Sequence, residues 1–219
     1  MIRFWKFVAQ RVPWMLSGAF GQEEGTMAAI DPQQFADRVY EASKAAFSAL
    51  LADNPGQTFY AFALFTDDSL QFMHPAANTE EVLTATVRRY RETVDPKYGI
   101  RSTRAGLRWS YGDWGFFPYD RGDHFAEVNR LLGANVDRMI ADEEFEAGLD
   151  PLWAAALAGF RRLESEGFFG TGAARSRITL LPVGHVPDEV GYAWLSALNP
   201  PDVAKLYMHH NADAPDEGE

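Results

Sequence analysis

The clearest pattern in the chain opens at Asp31. Apolar residues recur at Phe35, Val39, Ala42, Ala46, Phe47, Leu50 and Leu51 with polar residues between them, which is helical spacing with one face turned inward. Asp31 suits the N-cap, Pro32 the first helical position, and Gln34 completes a capping box. Asp53-Asn54-Pro55-Gly56 stops the helix and turns the chain. Thr58 to Thr66 is then β-branched and aromatic with no polar alternation, which predicts a central strand covered on both faces. Asp67-Asp68-Ser69 ends it, and Leu70 to Met73 is expected to return as an antiparallel strand. Asn78 or Thr79 caps a second helix. Glu80 and Glu81 stand in its first turn, where carboxylates favour the helix dipole, and Val82, Leu83, Val87 and Tyr90 form its apolar stripe.

From Asp95 to Gly122 the periodicity is lost and aromatic residues crowd together: Tyr98, Trp109, Tyr111, Trp114, Phe116, Phe117 and Tyr119. This stretch is expected to be irregular. Asp123 is placed as the cap of a third helix reaching about Phe145, and Asp150-Pro151 as the start of a fourth ending near Gly167. Ser176 to Val183 reads as a second strong strand. Asp188 caps a helix through Trp194 and Leu198, and Asn199-Pro200-Pro201-Asp202 breaks it and caps a short last one. Residues 211–219 are acidic and polar and are expected to be a disordered tail. Few strands among several helices, without regular alternation, predict an α+β fold with a small, largely antiparallel sheet and several packed helices.

Residues 27–210 are read as one domain. At 219 residues a compact chain buries roughly 70% of the surface that its unfolded form exposes, so no covalent staple is needed. Residues 1–26 are read as an arm outside that domain. They carry Arg3, Lys6 and Arg11 and no acid before Glu23. Their longest uncharged run, Val12 to Gln22, falls short of the ~20 apolar residues that span a bilayer. The alternative to a dispensable arm is membrane-surface contact through residues 1–20, which are basic and include Trp5 and Trp14.

Charge and cysteine content narrow the function classes. The 20 basic and 31 acidic residues leave a net charge of −11. That field repels phosphates, which argues against nucleic acid, and favours encounter with a basic partner. There is no cysteine, so disulfides, thiolate nucleophiles and Cys-ligated metal centres are excluded, and a reducing, cytoplasmic setting is expected. Gly170-Thr171-Gly172 lacks the rest of a phosphate-loop pattern, and no cofactor is expected. The five histidines, His74, His124, His185, His209 and His210, show no spacing that sets two imidazoles on one helix face, and no metal site is expected.

Two groups of residues remain as candidate sites. Asp67 and Asp68 stand at the end of the strongest strand with His74 close behind, an arrangement open to hard-cation or acid–base chemistry. Asp and Ser there also favour a turn by bonding their own backbone. Trp109, Tyr111 and Trp114, with Asp113, Asp120 and Asp123 around them, form an aromatic and acidic segment suited to anchoring a partner. An anchor must be accessible before binding, so at least one of the three rings is expected to reach solvent.

The run Phe59-Tyr60-Ala61-Phe62-Ala63-Leu64-Phe65-Thr66-Asp67-Asp68, followed by Pro75-Ala76-Ala77-Asn78-Thr79-Glu80-Glu81, resembles the bacterial family catalogued as domain of unknown function 4303. Arg108-Trp109-Ser110 to Trp114 and Phe125-Ala126-Glu127-Val128-Asn129 are similar to that family's middle block. The resemblance covers about residues 31–207. It implies a small intracellular bacterial protein and brings no catalytic residues. The expectation from the sequence is a partner-binding module, such as an immunity protein that neutralises a basic toxin. The alternative is an enzyme with a site around Asp67, Asp68 and His74.

Overall fold

The computed structural model describes residues 29–118, 120–142 and 145–212. The arm expected over residues 1–26 lies outside them. Helix α1 (Pro32–Asp53) starts as its sequence predicts: the Asp31 carboxylate accepts the Gln34 backbone N–H at 2.7 Å, satisfying a first-turn donor that has no helical partner. Its inward stripe, including Phe35, Val39, Phe47 and Leu50, is fully buried.

Strand β1 (Phe59–Thr66) is the centre of a sheet ordered β2-β1-β3. Strand β2 (His74–Thr79) pairs with it antiparallel, and β3 (Thr179–Gly184) pairs with it parallel. The sheet is therefore mixed, which corrects the expectation of a largely antiparallel one. A parallel partner needs a long crossover. Here the crossover contains α2 (Glu80–Thr93), α3 (Arg101–Trp109), α4 (Ala126–Asp142), α5 (Phe145–Ser165) and the single turn α6 (Gly172–Arg175).

The returning strand also sits later than Leu70 to Met73. Leu70 adopts a φ of 51°, a left-handed value that interrupts an extended run. The Asp67 carboxylate accepts the Gln71 N–H at 2.8 Å and closes the turn. β2 instead carries Pro75 opposite Leu64, which a strand at the sheet edge tolerates because no neighbour requires its missing N–H. On its outer side the Ala77 N–H donates to the Phe116 carbonyl.

The β1–β2 register shifts between Phe59, opposite Thr79, and Ala61, opposite Asn78. Tyr60 is the extra residue of this bulge, so Tyr60 and Ala61 both join the same side of the sheet. That side packs on α2, α3 and the segment after α3 through Leu83, Leu107 and Trp114. The opposite side packs Phe62 and Leu64 against α1, α4 and α5. Both faces of β1 are thus covered, as its unbroken apolar sequence requires.

Other boundaries differ from the sequence reading. The stretch after Asp95 contains a 3-10 turn at Pro96–Gly99, α3, and a second 3-10 turn at Tyr111–Asp113. Asp120, not Asp123, caps the approach to α4, its two oxygens accepting the His124 and Phe125 N–H groups at 2.8 Å. Asp123 takes a φ of 51° in the turn between. Pro151 lies inside α5 rather than at a helix start. Leu149, Leu152 and Trp153 pack on the core on both sides of it, and this burial outweighs one lost helical hydrogen bond. Helix α7 (Asp188–Leu198) is followed by α8 (Pro201–Ala212), which runs two residues past the expected start of the tail. Among the described residues no helix is long and apolar enough to cross a membrane.

A buried polar knot fixes β3 and α7. Arg175 is 5% exposed. It pairs with Glu164 at 2.8 Å, donates to the Leu198 carbonyl at 2.6 Å, and also donates to the carbonyl of Ile178. Asn199 accepts the Leu180 N–H at 2.8 Å and donates to the carbonyls of Leu180 and Leu195.

Candidate functional site: an aromatic cleft beside the parallel strands

Strands β1 and β3 end together, with Thr66 opposite Gly184. The chain then crosses to α7, and a cleft of about 180 Å³ opens beside β3. Trp109 at the end of α3, Tyr111 just after it, Tyr192 on α7 and Tyr207 on α8 line it, together with Asp188 and the β3 residues Leu181 to Gly184. Asp188 is the one charged residue among its described lining residues. The rings are held by one another. Trp109 stands edge-on to Tyr60 at 5.8 Å and to Tyr207 at 4.8 Å, and Tyr111 packs on Phe117 at 5.4 Å. Tyr192 is 57% exposed.

The free edge of β3 has a defined hydrogen-bonding character. In a parallel pair, each strand directs the groups of alternate residues toward its neighbour. The N–H and C=O of Leu180 go to Asn199 and so point away from β1. The groups of Pro182 and Gly184 share that direction. Pro182 has no N–H to offer, so its position presents a carbonyl acceptor alone.

Trp114, named with Trp109 and Tyr111 from the sequence, belongs to the core: it is 4% exposed and its indole N–H donates to the Arg108 carbonyl at 3.1 Å. Trp109 and Tyr111 are partly buried and keep their access through the cleft. Asp113 is engaged within the fold, accepting from Tyr90 Oη at 2.7 Å and Ser110 Oγ at 2.9 Å and pairing with Arg89. Asp120 caps the approach to α4, and Asp123 is exposed. Behind the cleft, Tyr60 Oη donates to the Arg108 carbonyl and accepts from Asn78 at 2.8 Å. Burial drives the Tyr60 phenol well above its ordinary pKa, against the opposing pull of the Arg108 guanidinium stacked 3.7 Å from its ring. It stays a neutral structural hydroxyl.

Of the second sequence candidate, Asp67 closes its turn on Gln71, and Asp68 accepts from Ser69 Oγ at 3.2 Å. His74 packs near Phe72 at 5.7 Å, and the charges it feels are those of Asp120 and Asp123. Among the described residues no cluster of three or more His, Asp or Glu could hold a metal ion. Burial pulls the His74 pKa below 6.5, with the two aspartates opposing it. The unfolded chain therefore binds a proton more readily than the folded one. This contribution to stability is complete above about pH 6.5 and declines as pH falls toward the lower folded value. His74→Gln is expected to flatten that part of a stability-versus-pH curve from urea unfolding. A curve of unchanged shape would assign the slope to other groups.

Sequence reasoning missed Asp188, Tyr192 and Tyr207 as site residues. Asp188 reads as a helix cap, although the cap is Pro187 and makes no side-chain hydrogen bond. Tyr192 lies outside the buried stripe of Trp194, Leu195 and Leu198, and a large ring off the apolar face was the available signal.

The molecule is thus an α+β domain whose mixed sheet carries a small aromatic cleft at one edge strand. It belongs to the family described as domain of unknown function 4303, DUF4303, whose family model matches residues 39–200. The match takes in Trp109, Tyr111, Asp188 and Tyr192 and stops short of Tyr207. No curated protein and no solved structure matches the chain.

Proposed function

We propose that this chain is a partner-binding module that recognises a basic protein, in the manner of an immunity protein that neutralises a toxin in the cytoplasm. The observation that carries this reading is the cleft, which four aromatic residues line and whose described lining residues include one carboxylate and no cation. Rigid aromatic anchors at a small hollow are what protein interfaces favour. The net charge of −11 supports the same kind of partner, because complementary charge accelerates encounter. At about 180 Å³ the cleft is well below the ~300–1,000 Å³ of sites that enclose a cofactor or drug-sized ligand. The enzymatic alternative around Asp67, Asp68 and His74 has no comparable support, since both carboxylates hold turn contacts.

The test is to isolate stoichiometric partners from cells carrying the gene and to reconstitute the complex from purified components. A complex with a basic protein is expected, with an association rate that falls steeply between ~0.1 and ~1 M salt as the screening length shortens from about 10 to about 3 Å. If the partner is toxic, co-expression with this chain should restore growth. A rate insensitive to salt, or no stoichiometric complex, would overturn the reading.

A further inference from the structure

The cleft also has a chemistry that selects what enters it. We infer that it receives an arginine side chain projected by the partner. The inference rests on the partner-binding reading above and specifies its central contact.

Three features converge on a guanidinium. Trp109, Tyr111, Tyr192 and Tyr207 line the cleft, and aromatic rings attract a cation over their faces, most strongly where water is displaced. Asp188 supplies the single carboxylate among the described lining residues. It shares the first turn of α7 with Glu189, and the two charges outweigh the partial positive end of that helix, about half an elementary charge. Pro182, also a lining residue, supplies a carbonyl acceptor on the free edge of β3. A guanidinium carries a flat face for the rings and several in-plane N–H donors for the carboxylate and the carbonyl, which an ammonium does not combine. The fold already uses such stacking elsewhere: Arg108 lies 3.7 Å from the Tyr60 ring centre and Arg162 lies 3.9 Å from that of Tyr40.

The same features disfavour other occupants. An anion would meet the Asp188 carboxylate, with the charge of Glu189 next to it on the same turn. A peptide strand adding to the free edge of β3 would find the Leu180 N–H and C=O already taken by Asn199 and no N–H at Pro182. Sheet edges are commonly protected against strand addition by such devices. A projecting side chain needs none of these backbone groups.

The experiment is a titration of isotope-labelled full-length protein with N-acetyl-arginine methylamide, followed by NMR, beside its neutral citrulline counterpart. Saturable shifts at Gly184, Gly191 and Tyr192 are expected from the arginine compound with millimolar affinity. The citrulline compound should bind roughly tenfold more weakly or not at all. Asp188→Asn should weaken arginine binding by roughly tenfold. Tyr192→Ala, at a largely exposed ring, should weaken it while leaving the rest of the spectrum in place. Equal binding of the two compounds, an Asp188→Asn variant that binds as the parent does, or no saturable shift would each overturn the inference. The partner complex separates this inference from the reading beneath it. A complex of unchanged affinity with both variants removes the cleft from the interface and leaves the basic-partner reading standing. Saturable arginine binding in a protein that forms no stoichiometric complex has the opposite meaning: the cleft chemistry holds and the partner reading falls.

Discussion

A Gly184→Ala variant is expected to melt about 6–20 °C below the parent, or to fail to accumulate as soluble protein. Gly184 ends β3 with a φ of +113°, a conformation that costs a residue with a Cβ about 1–3 kcal/mol by itself. A Cβ built there also falls 2.0 Å from the Thr66 carbonyl oxygen and 3.1 Å from the Phe65 ring. The oxygen is backbone in the central strand and cannot swing aside as a flexible side chain would. Relief requires the ends of β1 and β3 to part, so the total is of order 3–5 kcal/mol. Each kcal/mol lowers Tm by about 2–4 °C in a chain of this size. Gly112→Ala is the control, because its added Cβ meets nothing within 4 Å. Thermal melts followed by circular dichroism compare the two. A Gly184→Ala protein melting with the parent would contradict the pairing of Gly184 with Thr66.

Asn199→Ala is expected to lose about 3–5 kcal/mol in urea unfolding. Its side chain bonds both backbone groups of Leu180, the Leu195 carbonyl and a guanidinium nitrogen of Arg175, and all of this is buried. Leaving a buried backbone donor or acceptor without a partner costs about 1–3 kcal/mol for each group, and the truncation strands several. Leu180 amide hydrogen exchange should accelerate, because its acceptor is the removed carboxamide oxygen. A loss below about 1 kcal/mol would show that water replaces the amide without penalty and that the knot does not hold β3 to α7.

The fate of particular elements shows which information was local. The start of α1 was legible because a cap, a first-turn proline and a repeating apolar face are all set within a few residues, and Asp31 bonds Gln34 as that pattern requires. The central place of β1 was legible because a strand apolar on both faces has to be covered on both. The direction of β3 was not. Thr179 to Val183 is buried throughout, and a run with no polar alternation reads the same in either direction. The α4 cap was misplaced by three residues because Asp120 and Asp123 are equally able to accept from a helix start. Only the turn between them, with Asp123 at positive φ, decided that Asp120 reaches the free N–H groups. The break expected at Asp150-Pro151 failed because burial on both sides of the proline carried the helix through it.

By itself the sequence determined the α+β class, the ends of α1 and β1 to within a residue, the acidic charge and the exclusion of thiol chemistry, since each follows from residue types or from spacing along the chain; the second strand, read as Ser176 to Val183, runs instead from Thr179 to Gly184. It also singled out Trp109 and Tyr111. Tertiary structure alone decided that the sheet is mixed, that Trp114 is core, and that Trp109 and Tyr111 share a cleft with Asp188, Tyr192 and Tyr207. These residues come from α3, the 3-10 turn after it, α7 and α8, and residues of β3 complete the lining. The physical reason is range. Caps, turns and periodic faces are settled by neighbours a few positions away. A cleft exists only where the parallel docking of β3 on β1 and the knot of Arg175 and Asn199 bring distant segments to one place, and no spacing rule along the chain encodes that meeting.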